Sequence, residues 1–315
     1  MEKRISIVVP VYNEEETLET LYRELEQVRE KMSGYEFEYL FVNDGSTDRT
    51  LSMLRELAKN DRVRYLSFSR NFGKEAALYA GLSNARGDYV ATMDADLQDP
   101  PSLLPQMMEL IENGCDNVAC RRVNRRGEPR IRSFCARLFY KLLRRMSEID
   151  IADGARDYRL MSRPMVESVL SLCEYNRFSK GIFAWVGYET GWIEYENVER
   201  SAGETKWSFF KLFRYSMDGI MNFSNTPIRL SSYLGLLLTL VSFIAIIVEV
   251  IRALVFGDPV AGWPSLVCII TFIGGIQLFC MGIMGHYISR TYMEVKRRPH
   301  YIIKETNCEN VERNR

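Results

Sequence analysis

Two long stretches without charged residues place the strongest constraint on how this 315-residue chain folds. They are LSSYLGLLLTLVSFIAIIV at residues 230–248 and VAGWPSLVCIITFIGGIQLFCMGIMG at residues 260–285. A helix of about 20 apolar residues crosses about 30 Å of hydrocarbon. We therefore expect a hairpin of two transmembrane helices, at about 230–252 and 262–287. The alternative, a pair of core helices in a soluble protein, would normally keep a polar face, and neither stretch has one.

The basic residues that flank these stretches predict how the chain is oriented. Arg229 precedes the first stretch, and a basic cluster between Arg290 and Arg298 follows the second. Because basic residues favour the cytoplasmic side, we expect both termini and the large N-terminal domain in the cytoplasm, at the plasma membrane if the source is bacterial. The start of the chain, MEKRISIVVPVYNEEE, has too short an apolar run for a signal peptide. Gly274 and Gly282 would allow close helix packing, which is compatible with a homo-oligomer.

The overall composition argues against a general nucleic-acid-binding protein, since 41 basic side chains balance 41 acidic ones. The seven cysteines form no Cys-x-x-Cys pair. We therefore expect neither a zinc site nor a disulfide framework, which indicates a reducing compartment. His286 and His300 stand alone in the sequence, and we interpret neither as a metal ligand.

The N-terminal part of the chain alternates between short apolar runs and segments with helical periodicity. The runs are ISIVVPV (5–11), FEYLFVN (37–43), VRYLSFS (63–69) and DYVATMD (88–94). Between them, apolar residues recur at helical spacing, as at Leu18, Leu21 and Leu25. Strands that alternate with helices favour an α/β fold with a Rossmann-like, mostly parallel sheet that is covered on both faces.

Polar residues follow each of the four predicted strands. They form the clusters YNE (12–14), NDGS (43–46), RN (70–71) and DAD (94–96). Taken singly, Asn13 or Ser46 could simply cap the next helix. In parallel sheets, however, ligands bind beyond the carboxyl ends of the strands. The four clusters together therefore predict a binding site at one edge of the sheet.

The segment ATMDADLQDPP (91–101) concentrates carboxylates after the fourth strand. On extended backbone, the spacing of Asp94 and Asp96 would let both side chains reach one hard divalent ion, Mg²⁺ or Mn²⁺, that also binds diphosphate oxygens. The sequence contains neither a Walker loop nor a GxGxxG motif after the first strand. Lys74, near the start of a predicted helix, could approach a phosphate or be an ordinary surface lysine, and both interpretations stay open.

Residues 5 to about 226 resemble the family 2 glycosyltransferases, which have the GT-A fold. The resemblance lies in VVPVYNEEETL, VNDGSTDRT, SRNFGKEAAL and MDADLQDPP, which stand in that family's order and spacing. With the later segments GARDYRLM and ERSAGETKW and the two C-terminal stretches, the chain is most similar to the polyprenyl-phosphate glycosyltransferases. That group contains dolichol-phosphate mannose synthases and bactoprenol glucosyltransferases. The QxxRW motif of processive family members does not occur in the sequence.

The resemblance implies roles for individual residues. The nucleotide-sugar site would comprise residues at the four strand ends, namely Pro10, Tyr12, Glu14, Asp44, Arg70, Lys74, Asp94, Asp96 and Gln98. Within this site, Asp94 and Asp96 would hold the metal, with Gln98 beside the diphosphate. Asp157, in GARDYRLM, matches the acidic residue proposed as the catalytic base. Arg200 and Lys206 would face phosphates. Because charge-assisted contacts to phosphate are strong and arginine can grip two oxygens, we also expect Arg132 to bind the phosphate of the acceptor, together with Arg200 and Lys206.

Two segments are predicted to lie on the membrane surface. Residues 121–145 contain ten basic residues against one acid, Glu128, and their apolar residues recur at helical spacing. This pattern is typical of a helix on an anionic bilayer. A second amphipathic helix is predicted at 205–223. The alternatives also stay open: a solvated helix packed on the sheet for the first segment, and core contacts with the spans for the second.

The predicted organisation is a GT-A catalytic domain at 1–204, an interfacial helix or linker at 205–228, two transmembrane helices within 229–289 and a cytoplasmic tail at 290–315 that is mobile beyond Lys304. The expected reaction moves a sugar, with glucose from UDP-glucose as the first choice, to a membrane polyprenyl phosphate with inversion. Alternatives are GDP-mannose, another UDP-sugar or a non-catalytic membrane scaffold. A phosphate monoester has a second pKa of about 6, so the acceptor hardly needs a base. We therefore expect Asp157 to orient the acceptor, or the arginines that hold it, as much as to remove a proton.

Overall fold

The computed structural model describes residues 3–122, 155–195, 224, 226–256, 262–309 and 311. The predicted alternation of strands and helices is confirmed in the N-terminal part. The four predicted strands are β1 (Lys3–Val11), β2 (Tyr35–Asn43), β3 (Val63–Phe68) and β4 (Tyr89–Thr92). The helices between them are α1 (Leu18–Lys31), α2 (Thr50–Leu57) and α3 (Lys74–Asn84).

Further elements complete the sheet and its cover. After β4 come a 3₁₀ turn (Pro101–Leu103), α4 (Leu104–Glu112), β5 (Asn117–Arg122), β6 (Ala155–Ser162), α5 (Arg163–Ser171), α6 (Ser179–Trp185) and β7 (Thr190–Tyr195). The C-terminal part contains α7 (Thr226–Phe256), α8 (Trp263–Lys296) and β8 (Ile303–Thr306). Strands β5 to β8 are additional to the four that the apolar runs predict.

The eight strands form one sheet in the order β7-β5-β6-β4-β1-β2-β3-β8. Strands β4, β1, β2 and β3 are parallel neighbours, as are β5 and β7. Strand β6 runs antiparallel to both β4 and β5, and β8 runs antiparallel to β3. The predicted parallel sheet is thus confirmed in its centre, and antiparallel strands flank it on both sides.

Apolar residues of the sheet pack on both of its faces. On β1, Ile5, Ile7 and Val9 belong to one buried cluster with α1 and α4, whereas Val8 belongs to a second cluster with α3 and α5. All four side chains are 0% exposed. Full burial of such a side chain contributes about 1.5–3 kcal/mol, so packing on both faces holds the strand. The polar clusters lie beyond this core, at the carboxyl ends of the strands.

The chain returns to the sheet after α8. Helix α8 continues to Lys296, past the predicted boundary at 289, and β8 then pairs with β3. Tyr301 stacks on Phe68 of β3 with ring centroids 5.0 Å apart. The prediction of a mobile tail beyond Lys304 is therefore wrong for residues 305–306, which belong to β8. Pairing with the open edge of β3 satisfies the backbone groups of a segment that has too few apolar residues to predict a strand.

Two long helices, α7 and α8, cover the predicted transmembrane ranges. Large apolar side chains on both helices are exposed, among them Leu236, Phe243 and Phe272. Within the part of the chain that the structure describes, one stretch, Phe272–Lys296, is long and apolar enough to cross a membrane by its length and composition, with a mean hydropathy of 1.3. The two helices are present as predicted, and the two-span hairpin stays a prediction.

Candidate active site

The carboxyl ends of β1, β2, β3 and β4 lie side by side, since these strands are parallel neighbours. Hydrogen bonds join the polar residues that follow the first two of these strands. Asn13 Oδ1 accepts the backbone N–H of Thr47 at 2.8 Å, and the backbone N–H of Asn13 donates to Ser46 Oγ at 3.0 Å. The predicted meeting of polar clusters at one edge of the sheet is confirmed for these residues.

Asp44 holds the loop that leads into α3. Its carboxylate accepts the backbone N–H groups of Phe72 at 2.6 Å and Gly73 at 2.9 Å. Burial raises the pKa of Asp44, and the two backbone donors act in the opposite direction. The next residue, Gly45, has a φ of 69°, and a Cβ there would lie 2.5 Å from the carbonyl carbon of Arg70. Only glycine fits this close approach, which fixes where the loop passes over the strand ends.

The other residues predicted to bind the nucleotide lie at the same edge. Pro10 is in β1, and Tyr12, directly after the strand, is 38% exposed. Glu14 Oε2 accepts a hydrogen bond from the hydroxyl of a threonine three residues later at 3.0 Å. The guanidinium of Arg70 lies 4.0 Å from the centroid of the Phe72 ring. The contacts of these residues with base, ribose and phosphates stay predictions.

Lys74 joins two carboxylates that come from distant parts of the chain. Its Nζ lies 2.6 Å from Asp94 Oδ1 and also donates to Asp157 Oδ2. Lys74 begins α3, Asp94 follows β4, and Asp157 is in the neighbouring strand β6. The hydroxyl of Thr92 donates to the backbone oxygen of Asp157 at 2.7 Å. Lys74 is therefore no ordinary surface lysine, because it contacts a predicted metal ligand and the predicted base at once.

Asp157 is held in its ionised form. Its side chain is 18% exposed, and this partial burial alone would raise its pKa. Lys74, together with Lys180 at 4.0 Å from Asp157 Oδ1, more than offsets burial and keeps the pKa of Asp157 well below its usual range. A carboxylate so stabilised is a weak proton acceptor and a strong partner for cations.

The segment after β4 turns, whereas the spacing of Asp94 and Asp96 predicts extended backbone. Strand β4 ends at Thr92, Asp96 lies in a turn, and Leu97 has a positive φ of 56°. Asp96 Oδ1 accepts the backbone N–H of Gln98 at 3.2 Å, which closes the turn around the aspartate side chain. Burial raises the pKa of Asp96, and the charge of Asp94 adds to this effect. The two carboxylates are therefore close enough to repel each other.

A divalent cation suits this pair of carboxylates. Asp94 and Asp96 offer hard oxygen ligands, the kind that Mg²⁺ and Mn²⁺ prefer, and a cation would relieve their repulsion. Among the described residues, no group of three or more His, Cys, Asp or Glu side chains could hold a metal by itself. Mg²⁺ bound through one or two carboxylates usually takes its other ligands from substrate phosphates and water. The side chains present thus fit a metal that binds together with a nucleotide diphosphate.

Sequence patterns missed a second group of contacts, which links β6 to the loop that carries the predicted metal ligands. The carboxylate of Asp99, 0% exposed, accepts Arg156 Nε at 3.0 Å and the hydroxyl of Tyr195 in β7. Arg156 Nη2 also donates to Gln98 Oε1 at 3.4 Å. Because Arg156 directly precedes Asp157, these bonds fix the strand of Asp157 against the loop. The run of aspartates signals Asp99, but no motif signals Tyr195.

The residues predicted to bind the acceptor phosphate, Arg132, Arg200 and Lys206, lie outside the described residues. The same holds for most of the basic segment 121–145 and for the predicted helix at 205–223. Within the described part of the chain, the basic side chains that approach Asp157 include Lys180, which no sequence pattern singled out. Lys180 in α6 approaches Asp157 only because the fold brings α6 next to β6, and a sequence pattern does not show this contact.

Comparison with known proteins identifies the family. Residues 6–170 match the family described as Glycosyl transferase family 2. The SfII prophage-derived bactoprenol glucosyl transferase of Shigella flexneri is 45% identical over 96% of this chain and 98% of its own length. A prophage bactoprenol glucosyl transferase homolog of Escherichia coli is 44% identical, again over 96% of this chain and 98% of its own. Among solved structures, glucosyl-3-phosphoglycerate synthase of Mycobacterium tuberculosis matches 70% of this chain and 78% of that chain at 21% identity, with a TM-score of 0.48. The family match and the two bactoprenol relatives show that the chain belongs to glycosyl transferase family 2, with the α/β GT-A fold, and is an enzyme that transfers a sugar.

Proposed function

We propose that the protein moves glucose from UDP-glucose to the phosphate of a membrane polyprenol, with inversion at the anomeric carbon. The observation that carries this proposal is the 45% identity with a bactoprenol glucosyl transferase over 96% of this chain and 98% of that protein. The similarity covers the C-terminal helices as well as the catalytic domain. It therefore supports a shared lipid acceptor in addition to a shared sugar chemistry.

The donor side of the reaction would use the edge of the sheet. Asp94 and Asp96 would hold Mg²⁺ or Mn²⁺, which supplies positive charge for the departing nucleotide diphosphate. Asp44 keeps the loop before Lys74 in place through two backbone hydrogen bonds, which supports a preformed nucleotide site there. Gln98 lies next to this pair, bonded through its backbone N–H to Asp96.

The acceptor side would need little help with deprotonation. A phosphate monoester with a second pKa of about 6 is mostly a dianion at neutral pH, so an oxygen of the acceptor can attack without a strong base. Asp157, ionised and in contact with Lys74, is suited to hold cations in place beside that oxygen. Arg132, Arg200 and Lys206 are proposed as further contacts to the acceptor phosphate.

A two-helix membrane hairpin would bring the site to the lipid. The exposed apolar side chains of α7 and α8 support burial in hydrocarbon. Strand β8 begins seven residues after α8 ends and lies beside the carboxyl end of β3, since Phe68 pairs with Ile303. Only a short segment therefore connects the cytoplasmic end of α8 to a strand that lies beside the carboxyl end of β3, where the site is. Both termini would be cytoplasmic, as the basic flanks predict.

A donor panel tests the proposed function. Membranes that contain the full chain are incubated with undecaprenyl phosphate, Mn²⁺ or Mg²⁺, and one of UDP-glucose, UDP-N-acetylglucosamine or GDP-mannose, and the lipid fraction is identified by mass spectrometry. We expect a glucosyl-phosphate lipid from UDP-glucose alone. A lipid product from GDP-mannose in preference to UDP-glucose would replace the proposed donor, and no lipid product with any donor would refute the proposed function.

A further inference from the structure

Two lysines from different helices meet at the carboxylate of Asp157. Lys74 of α3 donates to Oδ2, and Lys180 of α6 lies 4.0 Å from Oδ1. The second distance is longer than the usual 2.7–2.9 Å of an ammonium–carboxylate hydrogen bond. The ammonium of Lys180 therefore forms a longer ion pair with Asp157 than Lys74 does, and its side chain is 18% exposed.

The position of Lys180 is fixed by its neighbours. The backbone N–H of Ser179 donates to Glu75 Oε2 at 3.0 Å, and the hydroxyl of Ser179 donates to the same oxygen. Glu75 directly follows Lys74 on α3, so this contact holds the start of α6 against the start of α3. Ser179 precedes Lys180 and Glu75 follows Lys74, so the hydrogen bonds between Ser179 and Glu75 set the distance between the two lysines.

A third cation lies on the same face of β6. Arg159, two residues beyond Asp157 and 4% exposed, stacks its guanidinium 3.8 Å from the centroid of the Phe183 ring of α6. Within the described part of the chain, Arg159 Nε has no hydrogen-bond partner. Burial lowers the pKa of Arg159 to about 10, so it remains charged at neutral pH. Lys74 and Lys180 therefore contact the Asp157 carboxylate, and Arg159 adds a third positive charge on the same face of the strand.

The positive charges beside Asp157 offset an electrostatic repulsion that the proposed function implies. An acceptor dianion beside Asp157 adds negative charge next to an ionised carboxylate, and like charges at such distances repel strongly unless cations lie between them. We infer that Lys180, together with Lys74, binds the phosphate monoester of the acceptor, and that Asp157 holds the two ammonium groups at the spacing this phosphate requires. The inference rests on the proposed function and assigns to Lys180 a substrate contact that neither motif nor family resemblance implies.

Kinetics of the full-length protein in detergent test the inference. The assay uses Mn²⁺, UDP-glucose and citronellyl phosphate, a short prenyl monophosphate, with the wild type, Lys180→Met, Lys180→Arg and the control Lys59→Met. Lys59 is an exposed lysine paired with Glu56 on the surface. Loss of one charge-assisted contact should raise the acceptor KM of Lys180→Met by about 10-fold or more, with the UDP-glucose KM within about 2-fold of the wild type. Lys180→Arg should recover most of the loss, and Lys59→Met should match the wild type.

The possible outcomes distinguish a failure of the inference about Lys180 from a failure of the proposed function. An unchanged thermal shift of Lys180→Met by UDP and Mn²⁺ will establish that the variant is folded and binds the nucleotide. If the acceptor KM of this variant stays at the wild-type value, or if both KM values rise by the same factor, the inference is overturned and the proposed function stands. If the wild type glucosylates no prenyl phosphate, the proposed function falls and the inference falls with it.

Discussion

Replacing Asp157 with asparagine tests whether this carboxylate accepts a proton or holds cations. The substitution keeps the shape of the side chain and removes its charge. In the wild type, partial burial raises the pKa of Asp157, but Lys74 and Lys180 outweigh burial and keep the pKa well below the usual value of about 4. A group with a lowered pKa contributes its full stabilisation above the usual pKa and loses it only as the pH falls through the lowered value. Between pH 5 and 9, roughly the range of the assay, Asp157 therefore stays ionised.

The expected loss of activity follows from the contacts of Asp157. Its hydrogen bond from Lys74 is charge-assisted, and such bonds contribute about 1.5–3 kcal/mol. Because the Lys74 side chain is 38% exposed, solvent screens the pair and the lower end of the range, about 1.5–2 kcal/mol, applies. If this energy positions the cations for the transition state, kcat/KM falls about 10- to 30-fold. A general base typically contributes about 10²- to 10⁴-fold, so a loss above 100-fold would favour proton transfer.

The dependence of kcat/KM on pH separates the two roles. In the wild type we expect an acid limb near pH 6, the approximate second pKa of the acceptor phosphate. Asp157→Asn should keep this limb at a uniformly lower rate, since the ionisation belongs to the acceptor. Asp61→Asn, which removes an exposed carboxylate before β3, is the matched control and should change neither rate nor limb. If Asp157→Asn abolishes the limb and recovers full activity at high pH, Asp157 is the base and the positioning role is wrong.

Three further predictions concern the fold around the site. Tyr195→Phe removes the hydroxyl that donates to the fully buried carboxylate of Asp99 and should lower the free energy of unfolding by about 1.5–3 kcal/mol; an unchanged urea midpoint would contradict this. Gly45→Ala forces a Cβ to 2.5 Å from a backbone carbon at a φ of 69°, so it should lower the free energy of unfolding by about 1–3 kcal/mol and remove most of the activity. The control Gly34→Ala, with open space around the new Cβ, should change neither urea unfolding nor glucosyl transfer. Glu305→Gln should cost about 0.5–1 kcal/mol at pH 7, because its ion pair with an arginine of α2 is partly exposed. This pair lowers the pKa of Glu305 to about 2, so the difference from the wild type in thermal unfolding should shrink as the pH falls below the usual value of about 4, and a difference that grows on acidification would refute the assignment.

The central strands could be predicted because the residues of each strand alone show the pattern of a buried strand. The runs at 5–11 and 37–43 are almost continuously apolar, as a strand buried on both faces requires. Strand β8, with the sequence IKET, has one apolar residue in four, and it forms because β3 offers an open edge far away in the chain. Such pairing between distant segments leaves no local pattern.

The candidate site could be predicted in its composition but not in its internal contacts. The spacing of Asp94 and Asp96 indicates a metal-binding pair, and the four clusters indicate the edge of the sheet at which the described polar residues meet. The contact between Lys74 and Asp157 spans 83 residues, and the approach of Lys180 depends on how α6 packs beside α3. Lysines occur widely on protein surfaces, so only the fold distinguishes these two from the others.

In the proposed reaction, a metal held by Asp94 and Asp96 supports glucose transfer to a membrane lipid phosphate. The most direct test measures radiolabelled glucolipid made from UDP-glucose by membranes that contain the wild type or the Asp94→Ala/Asp96→Ala double variant, with Mn²⁺ added or chelated. We expect a labelled polyprenyl-phosphate glucose from the wild type with Mn²⁺, its loss on chelation, and no product above background from the double variant at any metal concentration. Undiminished glucolipid synthesis by the double variant would show that the reaction does not depend on a metal held by these two aspartates.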